Sequence, residues 1–214
     1  MRIRKNSKKL PLAMLTIAFL LTYCTLAPEK AETDSIEIKF KQGKNLNSEN
    51  WKCQVIETNT VCIPTNWNFI DQDKVFFFAA LDNDKNTFFT IIKSDINSSK
   101  LNADRYLKEG YSQMLGDSTE ALRGYTVKKM TFSDKQSYYA EYFTTINTKE
   151  YFAYSMVFEK EGYLYDIALK LPEEDSPKYK DTFKDAVFNF RINGKPVFGE
   201  LDEIENIEII DLSK

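Results

Sequence analysis

Tyr125-Thr-Val-Lys-Lys-Met-Thr-Phe132, Ser137-Tyr-Tyr-Ala-Glu-Tyr-Phe-Thr-Thr145, Tyr151-Phe-Ala-Tyr-Ser-Met-Val-Phe158 and Tyr163-Leu-Tyr-Asp-Ile-Ala-Leu-Lys-Leu171 follow one another within residues 124–171. Each run is rich in aromatic and β-branched residues, the types that pack well on a pleated surface. The breaks between them are short and polar: Ser133-Asp134-Lys135, Asn147-Thr148-Lys149-Glu150 and Lys160-Glu161-Gly162. Breaks of that length suit hairpin loops, so the block predicts an antiparallel meander. Nothing in its residue pattern is a catalytic signature.

Downstream of the meander, Ser176-Pro177 predicts a helix start, with Ser176 as cap and Pro177 at the first helical position. Tyr179, Phe183, Ala186, Val187 and Phe190 make its apolar face, and Asn193-Gly194 closes the segment. Residues 193–214 form an acidic C-terminal tail with spaced Ile. It reads first as frayed, with an added edge strand or a docking segment as alternatives.

Upstream, a helix is predicted over Ser98 to Gly116, with Tyr106, Leu107, Tyr111, Met114 and Leu115 on one face. Asn102 or Ser99 can cap its start. Lys74–Leu81 and Thr87–Lys93 read as strands whose uninterrupted apolar character predicts a central position. The link between them opens like a calcium loop at Asp82, Asp84 and Asn86. Thr87 and Lys93 then stand where that loop needs Gly and Glu, so an Asn/Asp turn is the reading taken. Ile63-Pro64-Thr65-Asn66-Trp67 reads as a turn carrying a buried Trp67, and Ser35–Phe40 as an edge strand or extended lead-in.

The chain of 214 residues has 16 Phe and 12 Tyr but no His. One domain of ordinary size with tails fits that length. Without His, the usual general base near neutral pH, the His-activated nucleophiles and the commonest zinc ligand are absent. No cofactor is expected. The formal charge of −3 includes five basic residues and no acid in 1–23, so the remainder carries about −8. Such a body repels phosphate backbones, and nucleic acid is excluded as an expected partner.

Those first residues read as an address. Positive charges in Met1–Lys9 precede an apolar run, Leu10–Tyr23, that is short for a membrane span. Leu21-Thr22-Tyr23-Cys24 resembles the lipobox of bacterial lipoproteins, which implies a signal peptide over 1–23 and lipidation of Cys24. Tyr23 stands where that pattern has Gly, Ala or Ser. Cleavage after Ala27 and an uncleaved anchor are the other readings. Residues 24–50 are then a lipidated start and tether, and the expected location is the cell envelope, lipid-anchored to a membrane. A secreted or periplasmic protein is the alternative. With Cys24 assigned to the lipid, Cys53 and Cys62 remain as an even pair flanking a Glu57-Thr58-Asn59-Thr60 turn. Export and hairpin geometry predict a disulfide.

The order of elements resembles the PsbP/Mog1-like fold family, in its branch of bacterial envelope lipoproteins. The resemblance rests on Ile63-Pro64-Thr65-Asn66-Trp67, the helix after Lys93, the meander and Phe188-Asn189-Phe190-Arg191, across residues 51–192. It implies an α+β domain in which an antiparallel sheet of six or seven strands is sandwiched by two main helices. It carries no metal-binding or partner-binding residue over to this chain.

The function expected first is that of a non-enzymatic exported lipoprotein, a protein-binding or accessory module with an envelope protein as partner. The alternative is a carrier of small apolar ligands, its cavity lined by Phe76–Phe78, Phe88, Phe89, Tyr138, Tyr139 and Tyr142. An enzyme built on Glu141, Asp166 or Glu173-Glu174-Asp175 requires two such acids converging in one cleft with raised pKa values.

Overall fold

The meander forms as four consecutive antiparallel strands, and the rest of the body is arranged around it. A computed structural model describes residues 49–70, 76–84, 86–117, 126–132, 135–146, 149–198 and 204–210. The signal peptide expected over 1–23, the expected lipidation site Cys24 and the lead-in expected at Ser35–Phe40 lie outside those residues.

In chain order the strands are β1 (Trp51–Ile56), β2 (Asn59–Pro64), β3 (Asn68–Phe69), β4 (Phe78–Leu81) and β5 (Phe88–Asp95). After the short helix α1 (Ile96–Ser99) and the helix α2 (Ala103–Asp117) comes the meander. Its strands are β6 (Thr126–Phe132), β7 (Lys135–Ile146), β8 (Lys149–Lys160) and β9 (Tyr163–Leu171). Helix α3 (Ser176–Phe188), β10 (Arg191–Ile192), β11 (Lys195–Pro196) and β12 (Ile204–Ile210) complete the described chain.

The large sheet has eight strands in the order β12-β6-β7-β8-β9-β5-β4-β3. That is one or two more than the sequence predicts, because the two-residue β3 and the C-terminal β12 join its edges. A small sheet, β1-β2-β10-β11, forms separately. Period-two alternation sorts the large sheet's side chains between two faces, each covered by a helix.

One face carries aromatics. Tyr154 stacks on Phe183 of α3 with centroids 5.7 Å apart, and Phe158 stacks on Tyr165 at 5.3 Å. Trp67 is buried between Phe89 and Tyr179. The other face carries α2, whose Ala103 and Leu107 pack with Val127, Tyr138, Ala140, Val157 and Leu164. The α+β sandwich follows.

Four local expectations are corrected. The helix predicted from Ser98 is two pieces. The Asp95 carboxylate accepts from the backbone N–H of Asn97 and Ser98 and starts a single turn. Lys100 then ends it in the left-handed region at φ 54°, and Asn102 opens α2 by accepting from the Arg105 N–H at 2.8 Å. In α3 the cap is Asp175 and Ser176 is already helical, since a 3₁₀ turn over Glu173–Asp175 leads straight into it.

The predicted central pair divides, β5 lying inside the sheet and β4 next to its short edge. Residues 193–198 belong to the body: Asn193-Gly194 turns the β10–β11 hairpin at φ 53° and 75°, and Phe198 is buried against Phe158 and Phe188. The frayed tail gives way to the edge-strand alternative. Glu208 and Ile209 pair with Lys129 and Lys128 of β6, so opposite charge and a completed ladder hold β12 in place.

Candidate docking surface

Cys53 and Cys62 are directly opposed in the β1–β2 hairpin and form a disulfide, with Cα atoms 4.1 Å apart. Glu57 supplies the positive φ that the hairpin turn requires. The stapled hairpin reaches back to the large sheet through two lysines. Lys52 lies over the Phe69 ring at 5.1 Å. Lys93 of β5 bonds Glu57 at 2.6 Å and sits over the rings of Tyr163 and Phe77 at 4.4 and 5.0 Å.

This rim is apolar as well as charged. Phe69, Ile70 and Tyr163 are exposed large hydrophobic residues on or beside it, and Val55 is exposed on the opposite face of β1 from Lys52. Lys93 is mostly covered, its stem and ammonium held between rings. The rim therefore combines exposed apolar rings with lysines held against them, beside a covalent staple. Reading the sequence did not single out these residues. The available signals were Lys52 beside Trp51, Lys93 at the end of an apolar strand, and Phe69-Ile70 outside any periodic pattern.

Glu141 and Asp166, two of the carboxylates considered for catalysis, lie on opposite faces of the large sheet. Glu141 lies on the α3 face, where it accepts from the Tyr139 hydroxyl at 2.7 Å and pairs with Lys180 at 2.9 Å. Asp166 lies on the α2 face, buried, and accepts from Tyr106 and Ser155 hydroxyls at 2.7 Å each. Burial pushes its carboxyl above the ordinary aspartate range, and the two hydroxyls and Lys170 pull it partly back. Glu173 and Glu174 are exposed in the turn before α3. They line a cleft of about 500 Å³ with Lys149, Glu150 and Tyr151.

The predicted carrier aromatics are also divided. Phe78, Phe89 and Tyr139 share the α3 face, whereas Tyr138 and Tyr142 point to the α2 side. A second cleft, of about 530 Å³, opens beside Tyr138 and the start of α2. Its lining is polar and charged: Asn102, Asp104, Lys129, Gln136 and Glu159. Burial raises the Tyr138 hydroxyl's pKa, and its bond to Asp104 at 2.8 Å raises it further. Burial raises Tyr139 in the same way and pushes Tyr154 up to about 12. These hydroxyls stay protonated and serve as hydrogen-bond donors. Chemically, the clefts offer acceptors and donors for polar groups.

Asp82 closes its own loop, accepting from the backbone N–H of Asn86 and Thr87. The Asn/Asp turn is therefore the structure of that link. Among the described residues no group of three or more His, Cys, Asp or Glu is placed to hold a metal ion. No helix among them is long and apolar enough to cross a membrane.

No protein-family model matches the sequence, and no curated protein is similar to it. Solved structures are similar in fold. Cyanobacterial PsbP (CyanoP) from Synechocystis sp. PCC 6803 superposes with a TM-score of 0.52 at 13% identity, covering 70% of this chain and 96% of that one. LpqN of Mycobacterium tuberculosis, described as involved in cell envelope biogenesis, gives 0.41 at 11%, over 63% and 82%. A Bacteroides thetaiotaomicron structure gives 0.40 at 13%, over 63% and 45%. The eight-stranded antiparallel sheet between α2 and α3, matched across nearly all of CyanoP, is a PsbP-like fold.

Proposed function

We propose that this chain is a non-enzymatic accessory lipoprotein of the bacterial cell envelope, held to the membrane through Cys24 and binding an envelope protein. The observation that carries the protein-binding reading is the rim of exposed Phe69, Ile70 and Tyr163, with Lys52 over the Phe69 ring and Lys93 over the Tyr163 ring, beside the Cys53–Cys62 bridge. A partner that covers these rings gains their burial without first ordering them. The separation of Glu141 and Asp166 onto opposite faces supports the non-enzymatic part. The −8 charge beyond residue 23 keeps the body off anionic lipid, so attachment through an acyl chain is the consistent anchor.

A photo-crosslinking amino acid placed at Phe69 or Tyr163 in the full chain, in living cells, tests the surface. A discrete adduct with one envelope protein is expected at both sites and not at Glu174, which is exposed elsewhere. No adduct at the rim, or the same adduct at Glu174, refutes the reading. Intact mass of membrane-extracted chain beside a Cys24→Ala version tests the anchor: acyl chains on a chain starting at Cys24 are expected, and a soluble product cut near Ala27 overturns it.

A further inference from the structure

Three hairpin turns meet at one end of the molecule: Glu57-Thr58 between β1 and β2, Glu161-Gly162 between β8 and β9, and Asn193-Gly194 between β10 and β11. Asn193 joins them. Its backbone N–H donates to the Thr58 carbonyl at 2.8 Å, and its side-chain amide donates to the Glu161 carboxylate at 2.6 Å. One residue therefore ties two turns of the small sheet to a turn of the large one.

Asn193-Gly194 is also the one Asn-Gly pair in the chain. An asparagine before glycine is open to attack on its own side chain, because no Cβ on the next residue screens the backbone nitrogen. Both residues are exposed here. Apart from its chain neighbours, no atom lies within 4 Å of the place where a Gly194 Cβ would stand.

We propose that Asn193 is a deamidation site that Glu161 holds in check. The Gly194 backbone nitrogen loses its proton and bonds to Asn193 Cγ. The Cγ–Nδ2 bond breaks, and the amide nitrogen takes up a proton and leaves as ammonia. Water then opens the five-membered imide at one of its two carbonyls, leaving aspartate or isoaspartate. One water enters for each ammonia released.

Glu161 opposes this reaction in three ways. The charge-assisted bond restricts rotation of the Asn193 side chain, and attack needs Cγ to swing onto the Gly194 nitrogen. Accepting from Nδ2–H pushes electron density toward Cγ and makes it a poorer electrophile. A carboxylate nearby also disfavours the deprotonated nitrogen that attacks, because like charges repel. Conversion reverses the contact: a carboxylate at 193 faces Glu161 where a donor stood, and isoaspartate adds a backbone atom to a two-residue turn. The tie between the two sheets therefore has a chemical lifetime, and Glu161 sets it.

Peptide mapping by mass spectrometry of the full-length chain, aged in mildly alkaline buffer, tests this. Conversion at Asn193 is expected to be several-fold faster in Glu161→Ala than in wild type. Glu161→Gln, a neutral acceptor of similar length, should fall between them. In urea all three should convert at one rate, because the contact exists only in the folded chain. Equal rates in folded wild type and Glu161→Ala overturn the proposal, as does a difference that persists in urea. Absence of conversion at Asn193 in folded Glu161→Ala overturns it too. Gly162→Ala separates the carboxylate from the turn: Gly162 has φ 80°, so alanine strains the same turn while Glu161 stays. If that variant converts as fast as Glu161→Ala, loosening is the cause and Glu161 is not the guard. A cooperative urea transition in each variant shows that the chain has folded.

Discussion

The two faces of the large sheet are held by different physics. On the α3 side Phe89, Tyr154, Phe158, Tyr165, Phe183 and Phe190 meet in stacked and edge-on ring pairs, and Trp67 fills the end of the layer. On the α2 side a transverse row of small residues, Ala140, Ser155, Ala168, Thr90 and Ala79, crosses five strands. Three hydrogen bonds to carboxylates tie α2 to that face: Ala103 N–H to Glu159, the Tyr106 hydroxyl to Asp166 and the Tyr138 hydroxyl to Asp104. Dispersion and burial are non-directional and scale with area, whereas hydrogen bonds position a helix at little net gain. Among the described residues, the α3 side carries the aromatic burial and the α2 side the directional hydrogen bonds, so the larger share of stability is expected on the α3 side.

That contrast can be broken first at Phe183. Truncation to Ala, which removes a buried ring touching Tyr139 and Tyr154, is expected to cost about 3–5 kcal/mol in urea unfolding. A loss near 1 kcal/mol would show that the aromatic face is not the main source of stability. Next comes the staple on the same side. Changing Cys53 and Cys62 to Ser opens a loop closed over nine residues of sequence separation, and about 2–3 kcal/mol should be lost in the same assay.

On the α2 side Asp166→Ala removes the acceptor that the Tyr106 and Ser155 hydroxyls share, at about 1–3 kcal/mol. If it proves costlier than Phe183→Ala, the ranking of the faces is reversed.

A finer test uses pH. Folding raises the Asp166 pKa above its ordinary 3.8, so above that value the folded chain holds a proton that the unfolded chain has lost. Stability from this group therefore declines as pH rises from the ordinary aspartate range through the raised native value, and acid restores it. Asp166→Asn removes the titration. The stability difference between wild type and this variant should shift against the wild type across that window and stay flat outside it. Measured by unfolding at successive pH values, a constant difference would mean that Asp166 does not change its proton on folding. The smallest effect is expected at Val55→Lys, within about 0.5 kcal/mol, because the side chain is exposed. It should leave stability intact.

Much of this organisation is legible along the chain. The meander is, because adjacent hairpins need only local alternation and short breaks, and Glu161-Gly162 turns one of them with φ of 53° and 80°. So is the pairing of Cys53 with Cys62, nine residues apart across one turn. Trp67 reads as buried because a tryptophan after Ile-Pro has few other uses for its surface. The break at Lys100 is not legible, since Asp95 and Asn102 are each adequate caps and only geometry shows that both are used. Nor is β12: an acidic segment with spaced isoleucines has little reason to be a strand until Lys128 and Lys129 lie opposite it. The rim escapes for a similar reason. Phe69 and Tyr163 look like any core aromatic until the hairpin, β3 and β9 are brought together.

Composition and local pattern alone determined that the chain has the material for an aromatic core, that it lacks histidine chemistry, and that its centre is a run of antiparallel hairpins. These are properties of residue type and of neighbours within a turn's reach, where steric preference and period-two burial decide. Tertiary structure alone decided which side of the sheet each helix covers. It placed Glu141 and Asp166 on opposite faces, and it exposed one rim and one edge. Those outcomes depend on contacts between residues tens of positions apart, such as Tyr106 with Asp166 and Lys93 with Glu57. No local preference encodes them, because their free energy exists only once the chain has closed on itself.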